Sequence, residues 1–277
     1  MLEEELRVKT RERGYGEGQA SGSLVYNWVR GGEHWSDLAG LRGAAGPQEL
    51  WGVGAVLAPT TAGEFLRKFA IGAVPDWHRG HLRVHQRVRP QQSSPTCTLD
   101  LDSSISEPAS THKEGSAKAS NGEIGSHPWF AFWAAEGELL FSHLRRGRAH
   151  TARNILWFLR ATLKRVPLGI PTNLRADSGF YSRAVVEWCA LQGFTFPMTA
   201  DQTAPLLETI GTVSEWSWRS LPDYALSEVA EVRYQPPGWN NLTAMLSNAS
   251  WRRRRTASGT GSILWWSPMM RRTPPRP

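Results

Sequence analysis

The chain has 277 residues, 40% of them hydrophobic, and a formal net charge of +7. That length allows at least one buried core and a small second domain. Only two cysteines, Cys97 and Cys189, argue against a disulfide framework or a cysteine-ligated metal, and the acidic start and lack of a long apolar run point to a soluble cytoplasmic chain with no membrane partner. The charge is unevenly placed. From Val232 onward there are eight arginines (Arg233, Arg252 to Arg255, Arg271, Arg272 and Arg276) and no Lys, Asp or Glu. Residues 1–231 therefore carry a net charge of about −1; the basicity belongs to the tail, and the body shows only local basic clusters.

Residues 1–95 read as a helical subdomain. Thr61-Ala-Gly-Glu64 has capping-box spacing ahead of Phe65, Leu66 and Phe69, and Pro75-Asp76 opens a basic helix through Arg89. From residue 96 the period changes. A strand is expected at 97–102, followed by a polar stretch to Ser126 with a turn at Asn121-Gly122. Trp129–Trp133 and Leu139–Leu144 form a hairpin around Glu136-Gly-Glu138. Ile155, Leu156, Leu159, Leu163 and Val166 recur at helical spacing, and Pro167 and Gly169 end the helix. Ile170–Ala176 reads as a strand, Ser182–Gln192 as a helix closed by Gly193, and Phe194–Thr199 as a further strand. Over 96–200 the order is β-β-β-α-β-α-β, that of the ribonuclease-H-like fold, a mixed α/β sheet flanked by helices. Residues 201–239 begin another region, and Asn240–Pro277, rich in Arg, Trp, Ser and Pro, is expected to be an irregular, disordered tail with the texture of out-of-frame translation.

Asp102 and Asp177 stand at the ends of apolar runs, Thr98-Leu-Asp-Leu-Asp102 and Leu174-Arg-Ala-Asp177. A carboxylate at the tip of a buried strand is fixed yet meets solvent, which suits it to hold a divalent ion against a phosphate. In the ribonuclease-H-like order the first and fourth strands lie side by side, so the two acids would face each other. An Asp after a strand is also a common turn or cap residue. Asp100 shares the strand face of Asp102 and is the reserve for the first acid. Arg145 and Arg175 are candidate phosphate donors, with a carboxylate partner an equal alternative for Arg175. His78, His81 and His85 read as a solvated basic face rather than a metal site. The Trp129/Phe130/Phe132/Trp133 cluster reads as core.

The motif texts resemble the DDE transposases of bacterial insertion sequences, in the branch with a β-rich insertion before the third acid. The matching stretches are Arg11-Glu-Arg-Gly-Tyr15, Pro59-Thr-Thr-Ala-Gly-Glu-Phe-Leu66, Thr98-Leu-Asp-Leu-Asp-Ser103, Lys113-Glu-Gly115, Asn121-Gly122, His127-Pro128, Leu144-Arg-Arg-Gly147, Leu174-Arg-Ala-Asp-Ser-Gly-Phe-Tyr181 and Arg233-Tyr-Gln-Pro-Pro-Gly-Trp239. The resemblance implies a catalytic core at 96–200, a β-rich insertion beginning at 201–239, and an N-terminal subdomain able to contact DNA. It implies that Asp102 and Asp177 are the first two acids of a metal-binding triad, using Mg²⁺ or Mn²⁺ to cleave and join DNA at transposon ends. A homodimer, or pairing with full-length transposase, is the expected assembly.

The chain departs from the family at Ser126, where Tyr usually precedes His-Pro, and at Arg148, where Asn usually follows Leu-Arg-x-Gly. Past Trp239 no stretch has the Tyr-x2-Arg-x3-Glu-x6-Lys spacing that would supply the third acid. The expectation is a transposase remnant, frame-shifted after Trp239 and lacking an N-terminal piece, with little or no activity. The alternative is a non-catalytic DNA-binding protein that inhibits transposition.

Overall fold

The computed structural model describes residues 2–9, 14–43, 55–69, 73–88, 94–107, 115–118, 122–149, 151–201, 203–220, 227–232, 234–239, 249–254 and 264–266. They belong to two compact units, Met1–Gln92 and Ser93–Pro277. Among the described residues no helix is long and apolar enough to cross a membrane.

In the first unit every described element is helical: α1 (Leu2–Glu5), α2 (Glu17–Val29), α3 (Leu38–Leu41), α4 (Pro59–Arg67) and α5 (Val74–Val88). Leu24, Leu38, Leu57, Ala62 and Phe65 form its core. The expected capping box at Thr61 is corrected. α4 starts two residues earlier, with Ala58 as N-cap and Pro59 at the first helical position, where proline's fixed φ and missing N–H carry no penalty. The histidine face is also corrected: His85 is buried, and its Nε2 lies 3.0 Å from that of His81. Arg79 and Arg83 tie α5 to α1 through Glu5 and Glu4, at 3.2 and 3.1 Å. Arg89, at the expected end of this helix, and Arg11 to Arg13 of the first matching stretch lie outside the described residues.

The second unit is built on a four-stranded sheet of order β5-β4-β1-β6, formed by β1 (Cys97–Ser103), β4 (Trp129–Trp133), β5 (Glu138–His143) and β6 (Thr172–Ala176). β1 pairs antiparallel with β4 and parallel with β6, and β4 pairs antiparallel with β5. This is the 3-2-1-4 arrangement of the ribonuclease-H-like sheet. β1 forms because buried Cys97, Leu99 and Leu101 alternate with outward Thr98, Asp100 and Asp102, the period of a strand with one face packed. Trp129, Ala131 and Trp133 do the same on β4, so the core reading holds for the two tryptophans, while Phe130 and Phe132 lie half-buried on the opposite face.

Helices α6 (Ile155–Leu163) and α7 (Arg183–Gln192) join the buried sheet residues in one core, through Ile155, Phe158 and Leu159 and through Val185, Val186 and Cys189. Phe158 stacks on Phe141 and meets Trp129, each at 5.1 Å. Buried side chains of this size each contribute roughly 1.5–3 kcal/mol. Ser182 caps α7 through the Val185 N–H, and Gly193, at φ 72°, closes it in the left-handed conformation.

Phe194–Thr199 is not the continuous strand expected. It runs beside β6 and makes only isolated parallel bridges, Asn173 to Thr195 and Ala176 to Met198. Pro197 lies between them and has no N–H to donate, so a regular ladder cannot form. Between β1 and β4, β2 (Ala117–Lys118) and β3 (Ile124–Gly125) pair antiparallel. Asn121 of the expected turn lies outside the described residues, as do Lys113 and Glu114.

Beyond the first sheet, α8 (Ala204–Gly211) precedes a second sheet of order β10-β9-β8-β7, made of β7 (Arg219–Ser220), β8 (Ser227–Val232), β9 (Ala249–Arg254) and β10 (Leu264–Trp266). Tyr181 and Trp239 rings lie 5.3 Å apart, and Arg183 donates to the Gly238 carbonyl at 3.0 Å, so the segment up to residue 239 is anchored on the α7 side of the core. The stretch 240–277, expected to be irregular, thus supplies two paired strands; its other residues lie outside the description.

Candidate active site

Parallel pairing of β1 with β6 sets Leu101 opposite Ala176. The next residues along the chain are Asp102, still on β1, and Asp177, just past β6, so both carboxylates emerge at the same end of two neighbouring strands. Asp177 then turns the chain. It is the N-cap of a short 3₁₀ helix, Ser178–Phe180, and accepts from the Gly179 N–H at 2.9 Å. That bond fixes the carboxylate and is also what an ordinary cap would make. The Asp102 carboxylate accepts from the Ser103 N–H at 2.7 Å.

Electrostatics sets Asp177 apart from a simple cap. Burial, the largest cause, holds its carboxyl above the ordinary carboxylate range, and the charge of Asp102 pushes the same way. The Gly179 N–H and the His127 ring act in the opposite direction without reversing it. Two carboxylates that repel each other at a strand edge form a donor set that a divalent cation relieves. Among the described residues no third His, Cys, Asp or Glu joins them in a metal-binding group.

Asp100 and Arg175 are cross-strand partners in the β1–β6 register. Arg175 Nε donates to Asp100 Oδ1 at 2.9 Å, and a second guanidinium nitrogen bonds the other carboxylate oxygen. Of the two alternatives for Arg175, the structure shows the carboxylate pair, and this pairing leaves Asp102 as the strand's carboxylate without an arginine partner in the described ion pairs. Arg145 is built into the fold. Its guanidinium lies 3.8 Å from the Trp129 ring centre, its Nε donates to the His127 carbonyl at 3.0 Å, and burial lowers its pKa to about 10.

Beside Asp177 opens a cavity of about 490 Å³ lined by Lys118, His127, Arg148, Thr151, Ser178 and Asp201, among others. His127 Nδ1 lies 3.1 Å from the Ala149 carbonyl. A carbonyl only accepts, so Nδ1 carries the proton in this contact. Gly147 lets the chain pass: a Cβ there would sit 2.1 Å from the Gly125 carbonyl oxygen and 2.3 Å from that of Ala117. Both obstacles are backbone. Gly147→Ala is therefore expected to lower stability by about 1–3 kcal/mol in urea denaturation, and an unchanged midpoint would show that the loop yields freely.

His127 stands in a matching stretch and Arg148 at a departure from the family pattern, and neither has a role assigned from sequence. Their position beside Asp177 depends on the 144–154 loop folding back over the end of β4. The exposed arginines Arg146, Arg153 and Arg160 were likewise missed; with Arg148 they make four arginines within fifteen residues of an otherwise near-neutral body, which was the available signal.

Residues 25–254 match the model of the family Transposase DDE domain group 1. The chain belongs to that family. Among solved structures, it is similar to a piggyBac transposase synaptic complex with hairpin DNA, at 13% identity and TM-score 0.48, covering 98% of this chain and 57% of that one. It is also similar to a Mos1 transposase paired-end complex with the left transposon end, at 12% identity and TM-score 0.27, covering 69% of this chain and 62% of that one. The chain thus spans less than two thirds of either protein. No curated protein matches it.

Proposed function

We propose that the chain derives from the catalytic portion of a bacterial insertion-sequence transposase, an enzyme of DNA phosphodiesters at transposon ends, and works in the cytoplasm as a pair of copies or with a full-length partner. The observation that carries this reading is the carboxylate pair: Asp102 and Asp177 at adjacent ends of parallel strands, near enough for one charge to raise the pKa of the other. Asp102 and Asp177 would hold Mg²⁺ or Mn²⁺, for which hard oxygen donors are suited. Such an ion, when bound, polarises a phosphoryl oxygen and activates a hydroxyl or water for in-line displacement. The chain's own part is to bind and orient. The Gly179 N–H holds the Asp177 carboxylate, and Arg175 occupies Asp100 and leaves Asp102 for the cation.

Two carboxylates neutralise only half the charge of two divalent ions. Without the glutamate of the family's third motif, the transition state loses several kcal/mol of stabilisation by order of magnitude. The chain as given is therefore proposed to be a remnant that binds DNA and cuts it little or not at all. The test is nicking of supercoiled plasmid in Mn²⁺ by the purified chain and by the Asp102→Ala/Asp177→Ala variant. Equal background rates with retained DNA binding are expected. Faster nicking by the parent would overturn the remnant reading, and absence of DNA binding would overturn the transposase reading. A second reading, an inhibitor that occupies transposon ends, is supported by an arginine-lined cleft at the same end of the sheet; it requires that the chain lower transposition by an intact element.

A further inference from the structure

At the end of the sheet where Asp102 and Asp177 emerge lies a second cleft, about 970 Å³ and open to solvent. Strand register places it there: Ser103 pairs with Trp129, and Trp129 with His143, the last residue of β5. The loop after His143 and the first turns of α6 form the cleft, lined by Arg146, Arg153, Arg160, Trp157, His143 and Asn154 over a base of Trp129 and Arg145. No carboxylate lines it.

Its arginines differ from others in this unit. Arg175, Arg183 and Arg219 pair with Asp100, Glu187 and Glu231. Arg146, Arg153 and Arg160 are exposed and take part in no ion pair among the described residues. Three guanidinium groups gathered without a counter-charge repel one another, and a polyanion relieves that cost. Trp157 is 50% exposed on the same wall. Its ring is braced edge-on against His143 at 5.0 Å and lies 6.0 Å from Phe141. The brace presents an aromatic face at little further entropic cost, three residues before Arg160 on α6. Shielding of Phe141 accounts for the inner side of this ring and leaves the outer half in water. An aromatic ring among unpaired arginines matches a nucleic-acid strand, whose bases stack while its phosphates pair, better than an acidic peptide, which offers charge alone.

We propose that this cleft seats a DNA strand beside the carboxylate pair, with phosphates on Arg146, Arg153 and Arg160 and one unpaired base stacked on Trp157. The proposal rests on the transposase reading for the identity of the polyanion but not on any cleavage.

The test is metal-free fluorescence anisotropy, in EDTA, of labelled mixed-sequence single-stranded and duplex oligonucleotides with the full chain. Arg153→Ala/Arg160→Ala is expected to weaken duplex binding at least tenfold near 0.1 M salt and to lower the slope of log K against log salt by about 2. Trp157→Ala is expected to weaken single-strand binding about tenfold and leave that slope unchanged. Arg219→Ala, exposed on the second sheet, is the control for loss of charge, and circular dichroism melting checks the fold of each variant. Binding by the double arginine variant equal to that of Arg219→Ala would overturn the cleft, even if the parent nicks DNA. Reduced binding upholds it, even if no nicking is found. Polyglutamate binding as tightly as DNA, with the same loss in Trp157→Ala, would overturn DNA as the occupant.

Discussion

Asp177→Asn is expected to raise the melting temperature of the metal-free chain at neutral pH and to abolish its stabilisation by Mn²⁺. Folding holds the Asp177 carboxyl above its ordinary value, mainly through burial and then through Asp102. Between that ordinary value and the raised one, the native state keeps a proton that the unfolded chain has lost, so stability falls as pH rises through the window. At neutral pH the native carboxylate is charged and unfavourably placed. Asparagine removes the charge and still accepts from the Gly179 N–H, preserving the cap. A divalent cation held by the ionised pair, as proposed, would reverse the sign of the effect and bind more tightly as pH rises. At a concentration a hundredfold above its dissociation constant it stabilises the parent by about 2.7 kcal/mol. Thermal melts with and without Mn²⁺, at several pH values, measure both effects. If Asp177→Asn gains as much from Mn²⁺ as the parent does, the cation is held elsewhere and the assignment of Asp177 fails.

Trp129→Ala is expected to cost about 3–5 kcal/mol, a large share of the stability of a domain this size. Trp129 is 1% exposed, packs on Phe158, carries the Arg145 guanidinium on its ring, and donates from its indole N–H to the Thr151 carbonyl at 3.0 Å. Truncation leaves a cavity and strips a half-buried guanidinium of its aromatic support. Trp129→Phe keeps most of the packing and loses the indole bond, so it should recover most of the loss. Urea denaturation of the two variants gives the comparison. A cost below about 1 kcal/mol for the alanine would mean that the core closes over the gap and the 144–154 loop needs no anchor there.

The central sheet was readable because its pattern is local. Cys97, Leu99 and Leu101 alternate with polar residues, and Ser182 and Gly193 mark the two ends of a helix. Phe194–Thr199 fails as a strand at Pro197, whose missing donor leaves only bridges around it despite the apolar pattern. The Thr61 cap was misread because Pro59 is the stronger start signal. The placement of Asp102 and Asp177 at neighbouring strand ends could be read from the apolar runs and the element order together. What could not be read was partnership. That Arg175 meets Asp100 follows from a parallel register, and that Arg145 lies over Trp129 follows from a loop returning across the sheet edge. Both are non-local facts with no trace in spacing. Average charge hides grouping in the same way: a body near neutrality gathers Arg146, Arg153 and Arg160 in one cleft.

The parallel pairing that joins β1 to β6 also orders events in time. Strands β1, β4 and β5 follow one another along the chain, whereas Asp100 and Arg175 meet across 75 residues. Contacts of that span, in a parallel register, form late and slowly. A chain leaving the ribosome can complete the antiparallel meander, Asp102 in place, before β6 has docked. The repulsion between the two carboxylates is then met only at the final closure of the sheet. Refolding rate, followed as a function of pH or of divalent cation, would report on these two side chains without any cleavage assay.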